Sequence, residues 1–142
     1  MTLLRRIRTA REDGFTLLEL LVVLAILGLL IALVAPQVLG FRGRANVQAA
    51  QVQVRNIESA IQNYQLDVGR PPSQTEGLQA LVTQPAGVAS WSGPYLTRLP
   101  DDPWGHPYQY RIPGENGRAF DVVSLGSDSQ PGGSGEAKDI TN

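Results

Sequence analysis

From Phe15 to Ala35 the chain is almost pure hydrocarbon: F-T-L-L-E-L-L-V-V-L-A-I-L-G-L-L-I-A-L-V-A. As an α-helix this run is about 31 Å long, enough to cross the apolar core of a bilayer. One ionisable group interrupts it, Glu19. A carboxylate at the centre of a membrane helix costs about 2.5–3.5 kcal/mol on insertion scales, so its presence asks for a role. Glu19 stands one helical turn beyond Phe15, the first residue after Gly14. If the chain is cut after Gly14, the new α-amine of Phe15 is a cation about 6 Å away along the helix. In a low-dielectric medium such a pair attracts strongly, and between neighbouring chains it would fix their stagger.

An ordinary secretory signal or signal anchor is the plainer reading of an apolar N-terminal run. The sequence argues against it. A cut after Ala35 would leave Leu33 at the −3 position and Pro36 directly after the cut, and no small-x-small site closes the run. Arg5, Arg6, Arg8 and Arg11 precede the span with Glu12 and Asp13, while Arg42 and Arg44 follow it. By the positive-inside rule this places the N-terminus in the cytoplasm and exports the rest. Removing residues 1–14 would shift the formal charge from −1 to −3, which carries no signature of nucleic-acid binding.

Pro36 and Gly40 interrupt the helix, and Pro36 should kink it. Beyond them Val47, Ala50, Val54, Ile57, Ile61, Tyr64 and Val68 recur at alternating steps of three and four. That is a helical stripe. Gly69 and Arg70-Pro71-Pro72 end it. The expectation is one long helix, its second half packed on the chain's own globular part rather than in a coiled coil. Ser73 and Glu76 have capping-box spacing, which predicts a short helix over 73–82. Gln109–Ile112 and Phe120–Leu125 read as strands, and Ile140 could open an edge strand. The 142-residue chain has no cysteine, so an exported domain must hold its loops without disulfides.

Residues 126–138 form a Gly/Ser/acid loop between Asp128 and Asp139, with Ser134 and Glu136 inside it. Two readings stay open from the residues alone: a solvated acidic loop, or an oxygen-rich Ca²⁺ site. Elsewhere no catalytic constellation emerges. His106 is the only histidine, set in an aromatic turn. Asp101-Asp102 between prolines reads as a turn former. Glu58 should pair with Arg55 or Gln62 on the helix surface.

The Gly14-Phe15 junction with Glu19 resembles the type IV pilin and pseudopilin superfamily. The segments TEGLQALV (75–82), YLTRLPDDPWGHPYQY (95–110), FDVVSLGSD (120–128) and KDI (138–140) resemble the major pseudopilins of type II secretion systems. The resemblance implies an α+β, pilin-like fold. One long N-terminal helix, membrane-spanning in its first half, packs on a small antiparallel sheet, with a C-terminal calcium loop. It implies a leader, 1–14, removed by a prepilin peptidase between Gly14 and Phe15, with methylation of the Phe15 amine. It implies a transmembrane and assembly helix, 15–40, in which Glu19 and Pro36 serve assembly, and a periplasmic globular domain, 41–142. It implies Ca²⁺ as cofactor, with Asp128, Asp139 and the Leu125 carbonyl matching the family's ligand positions. Glu136 or Ser134 would substitute for further acids that family loops carry and this chain lacks.

The function implied is structural and not enzymatic: a pseudopilus subunit that polymerises through its N-terminal helix to drive folded exoproteins across the outer membrane. The implied partners are copies of itself, minor pseudopilins, the inner-membrane assembly platform and prepilin peptidase. The secretin channel and the exoproteins are indirect partners. Two other readings stand beside it. A type IV pilin or minor pseudopilin is disfavoured by the cysteine-free C-terminal part and the DPWG segment. A non-polymerising, membrane-anchored calcium-binding module has no use for Glu19.

Overall fold

The computed structural model describes residues 14–142; for residues 35–40 it describes the backbone only. Gly14 aside, the expected leader therefore lies outside the described residues, as does the side chain of Pro36. The chain divides into two compact units, Met1–Val38 and Leu39–Asn142. Helix α1 is assigned over Leu17–Val68 and contributes to both.

In the first unit, Leu17–Val34 has a mean hydropathy of 3.1, and none of it is buried. Leucines, valines and isoleucines face outward all round. A helix that is apolar on every side needs an apolar surrounding, either lipid or other helices. This segment is long and apolar enough to cross a membrane.

The second unit is built on the stripe. Ala50, Val54, Ile57, Ile61 and Tyr64 are each at most 1% exposed, and Val47 and Val68 pack at the margin. Ala60 joins them. Each large apolar side chain so buried contributes about 1.5–3 kcal/mol, which is why this half of α1 needs no coiled-coil partner. The helix stops at Gly69, whose φ of +84° and amide bond to the Gln65 carbonyl (2.8 Å) form a left-handed cap.

The capping box after the proline pair is made. The Ser73 amide donates to Glu76 Oε2 (2.6 Å), and the Glu76 amide donates to Ser73 Oγ (3.3 Å). The short helix expected over 73–82 is made only at its end. Gly77, at φ +56°, breaks the path, and only a 3₁₀ turn, Leu78–Leu81, follows. Its leucines still reach the core. Trp91 and Tyr95 cover this turn edge to face, and the Trp91 indole donates to the Ala80 carbonyl at 2.8 Å.

The sheet has three antiparallel strands in the order β1 (Gln109–Arg111), β2 (Asp121–Ser124) and β3 (Ile140–Thr141). Tyr110 pairs with Val122, and Ser124 with Ile140. β2 lies in the middle, and all of its residues are buried. Gln74 closes off β1: its amide donates to the Tyr110 carbonyl (2.9 Å), and its oxygen accepts from the Ile112 amide (3.0 Å). That bond replaces the ladder partner an outer strand lacks. The strand forecasts were each one or two residues too long, because the flanking residues turn into loops. Glu58 also differs from expectation. It accepts from Asn142 Nδ2 at 3.3 Å, joining helix α1 to the chain's last residue.

Candidate functional site

Two regions carry the residues singled out by sequence. The first is the start of α1. Gly14 is exposed and non-helical, and Phe15 is 80% exposed. Thr16 caps the helix: its Oγ1 accepts from the Glu19 amide at 3.2 Å. Glu19 sits in the first turn, where a carboxylate is favoured by the helix dipole. Phe15 and Glu19 line one groove of about 340 Å³ with Leu20, Val23 and Leu24. One turn of spacing thus puts the aromatic residue and the acid on the same side of the chain.

The second region is the loop between β2 and β3. The chain leaves Leu125 and makes a 3₁₀ turn, Gly126–Asp128, with Gly126 at φ +69°. A second 3₁₀ turn, Gly135–Ala137, packs against the first. Their backbones touch. A Cβ on Gly126 would come within 2.5 Å of the Glu136 carbonyl oxygen, and one on Gly133 within 2.8 Å of the Ala137 carbonyl carbon. Asp128 Oδ1 accepts from the Gln130 amide (3.1 Å), and Asp139 Oδ2 accepts from the Gly132 amide (3.0 Å). Asp139 Oδ1 is buried without a hydrogen-bond partner. A sealed carboxylate oxygen with nothing to accept from is costly, and a cation would satisfy it. Among the described residues, no three acidic or His side chains gather at one point, so any metal here would draw on carbonyl and hydroxyl oxygens. Ser134 is exposed, and its carbonyl accepts from the Ala137 amide. The Glu136 carboxylate takes a hydrogen bond from Trp104 Nε1 at 3.3 Å.

The turn 101–107 is the feature that sequence reasoning undervalued. Asp102 is 4% exposed. Its Oδ1 accepts from the Trp104 (3.1 Å) and His106 (2.9 Å) amides, as an Asp before a tight turn should. Its Oδ2 accepts from Ser124 Oγ at 2.6 Å, and Ser124 Oγ in turn accepts from the Gly126 amide. His106 Nδ1 is 3.8 Å from Asp102 Oδ1. Serine, aspartate and histidine are therefore neighbours, but the serine hydroxyl bonds to the aspartate and not to the imidazole. The roles of a nucleophilic triad are not met. The D-P-W-G run signals the turn; the partnership with Ser124 depends on folding and has no local signal.

The family description "Type II secretion system (T2SS), protein G" matches residues 37–142, and "Prokaryotic N-terminal methylation motif" matches residues 9–35. The chain is 46% identical over 136 residues to the Type II secretion system core protein G of Pseudomonas aeruginosa, covering 93% of this chain and 95% of that one. It is 43% identical over 132 residues to the same protein of Xanthomonas campestris pv. campestris, covering 92% and 90%. Its fold is similar to the crystal structure of the major pseudopilin of enterohaemorrhagic Escherichia coli, with a TM-score of 0.60 and 34% identity over 73% of this chain and 91% of the other. With its apolar N-terminal helix, small antiparallel sheet and matched motifs, the chain belongs to the protein G family of type II secretion systems, the major pseudopilins.

Proposed function

We propose that this chain is the repeating, non-catalytic subunit of a pseudopilus. One observation carries the reading: an apolar helix, Leu17–Val34, wholly unburied by its own chain, is fused to an independently cored unit. Such a helix is held by lipid before assembly and by copies of itself afterwards. Prepilin peptidase cuts between Gly14 and Phe15 and methylates the Phe15 amine. Glu19 then neutralises the amine of a neighbouring subunit, and Pro36, which cannot donate to an i→i−4 bond, gives the packed helices local give. The N-terminus lies in the cytoplasm and residues 41–142 in the periplasm. Minor pseudopilins and the inner-membrane platform are direct partners; the secretin and exoproteins are engaged through the growing filament.

The loop between β2 and β3 binds Ca²⁺ in this reading. Asp128, Asp139, the Leu125 carbonyl and the Ser134 region are the oxygen donors, and the buried unpartnered oxygen of Asp139 supports it. The ion serves as a structural clip in a chain that has no disulfide. So few carboxylates imply a dissociation constant of about 10⁻⁴–10⁻³ M.

Mass spectrometry of membrane-extracted protein from cells with prepilin peptidase tests the processing step. The expected first residue is N-methylated Phe15. An intact Met1, or a cut near Ala35, would overturn the reading, and Gly14→Val should accumulate as uncut precursor.

A further inference from the structure

We infer that Glu136 is a positioning residue that clasps the β2–β3 loop onto helix α1 and Trp104, rather than a ligand of the loop's cation. The inference rests on the calcium reading above for its effect, though not for its geometry.

Gly43 is a buried glycine within α1, where glycine disfavours the helix by about 1 kcal/mol relative to alanine. The Glu136 side chain fills the notch it leaves. A Cβ on Gly43 would overlap the Glu136 carboxylate and lie 2.8 Å from its Cγ. On its other side the carboxylate accepts from Trp104 Nε1 at 3.3 Å. Trp104 is itself placed by Asp102, which takes its backbone amide. Through Ser124 the same Asp102 also steadies the Gly126 amide, where the loop begins. Both 3₁₀ turns of the loop are thus tied to one rigid turn, the first through Ser124 and the second through Glu136 and Trp104. Among the described residues, the Glu136 carboxylate does not gather with Asp128 and Asp139 into one acidic cluster. Groups that hold a metal loop from outside the ligand set commonly change metal affinity by about 10–100-fold when removed.

The test uses the full-length chain in detergent. Ca²⁺ binding is followed by calorimetry, and the Trp104 indole NH is followed by NMR, assigned by its loss in Trp104→Phe. Glu136→Gln keeps an acceptor oxygen for the indole but removes the charge a Ca²⁺ ligand supplies. It should leave the affinity near that of wild type. Gly43→Ala favours the helix yet expels the Glu136 side chain. It should shift the indole resonance and weaken Ca²⁺ about tenfold. Glu136→Ala should do the same, and the double variant should be no worse than either single one, because both break one contact. A tenfold loss in Glu136→Gln, with Gly43→Ala and Trp104→Phe binding normally, would make Glu136 a ligand and overturn the clasp. If wild type binds no Ca²⁺, the calcium reading fails. The clasp then stands if Gly43→Ala and Glu136→Ala move the indole resonance, and falls if they do not.

Discussion

Asp102 shows how one short side chain can organise a region with no regular secondary structure. It is sealed from water and receives two amides and one hydroxyl. Hydrogen bonds to a buried carboxylate are worth about 1.5–3 kcal/mol each, and orphaned donors are costly. Asp102→Ala should therefore destabilise the folded unit by about 2–4 kcal/mol. Asp102→Asn should cost much less, since its oxygen still accepts the two amides and Ser124 can rotate to accept from the new NH₂. Thermal melts followed by circular dichroism check the order; equal losses would mean that the bonds are not what matters.

Glu76 makes the fold's stability depend on pH. The Arg70 guanidinium grips it with two 2.7 Å bonds, and the Ser73 amide adds another. Against partial burial, these hold its carboxyl at about 2 instead of 4.5, Arg70 being the largest cause. The folded-state value is the lowered one, so the stabilisation is fully present above about 4.5 and is lost as pH falls toward 2. Melting temperature should drop through that window more steeply in wild type than in Glu76→Gln. Parallel acid profiles would contradict this.

Among the elements, the stripe on α1 was legible because its period is physical. Residues at steps of three and four share a face, and that face is the core. The end at Gly69 was legible for the same reason, since only glycine sits easily at φ +84°. The helix over 73–82 is shorter than expected because the capping box marks a start but does not guarantee propagation past Gly77. Gln74 covering β1, Glu58 reaching Asn142 and Glu136 filling the Gly43 notch had no sequence signal. Each joins residues far apart in the chain, and no local spacing encodes that. The sequence singled out the acidic residues of the β2–β3 loop and read 101–107 as a turn, but not the Asp102–Ser124 bond through which that turn braces the loop. If the loop takes Ca²⁺, occupancy at ten times Kd adds about 1.4 kcal/mol. The full-length chain in detergent should then melt higher in millimolar Ca²⁺ than in EGTA, and Mg²⁺ should substitute poorly. Asp128→Ala should abolish the difference with helix and sheet intact. A melting temperature indifferent to EGTA in wild type would remove the ion from the account.

For the whole molecule, the two units divide the labour that a filament subunit needs. In the first, the stretch Leu17–Val34 presents apolar surface on all sides and carries one acid, Glu19, near its start. The second carries its own hydrophobic core. In the proposed function, processing, insertion and assembly fall on the first unit. Glu19 is where the account is most exposed, because membrane insertion alone would be easier without it. The decisive measurement is electron microscopy of pseudopili from cells overproducing either wild type or Glu19→Val. Glu19→Val should be inserted and cleaved at Gly14 like wild type, yet yield no normal filaments and no secretion. Filaments of wild-type abundance and form from Glu19→Val would contradict it.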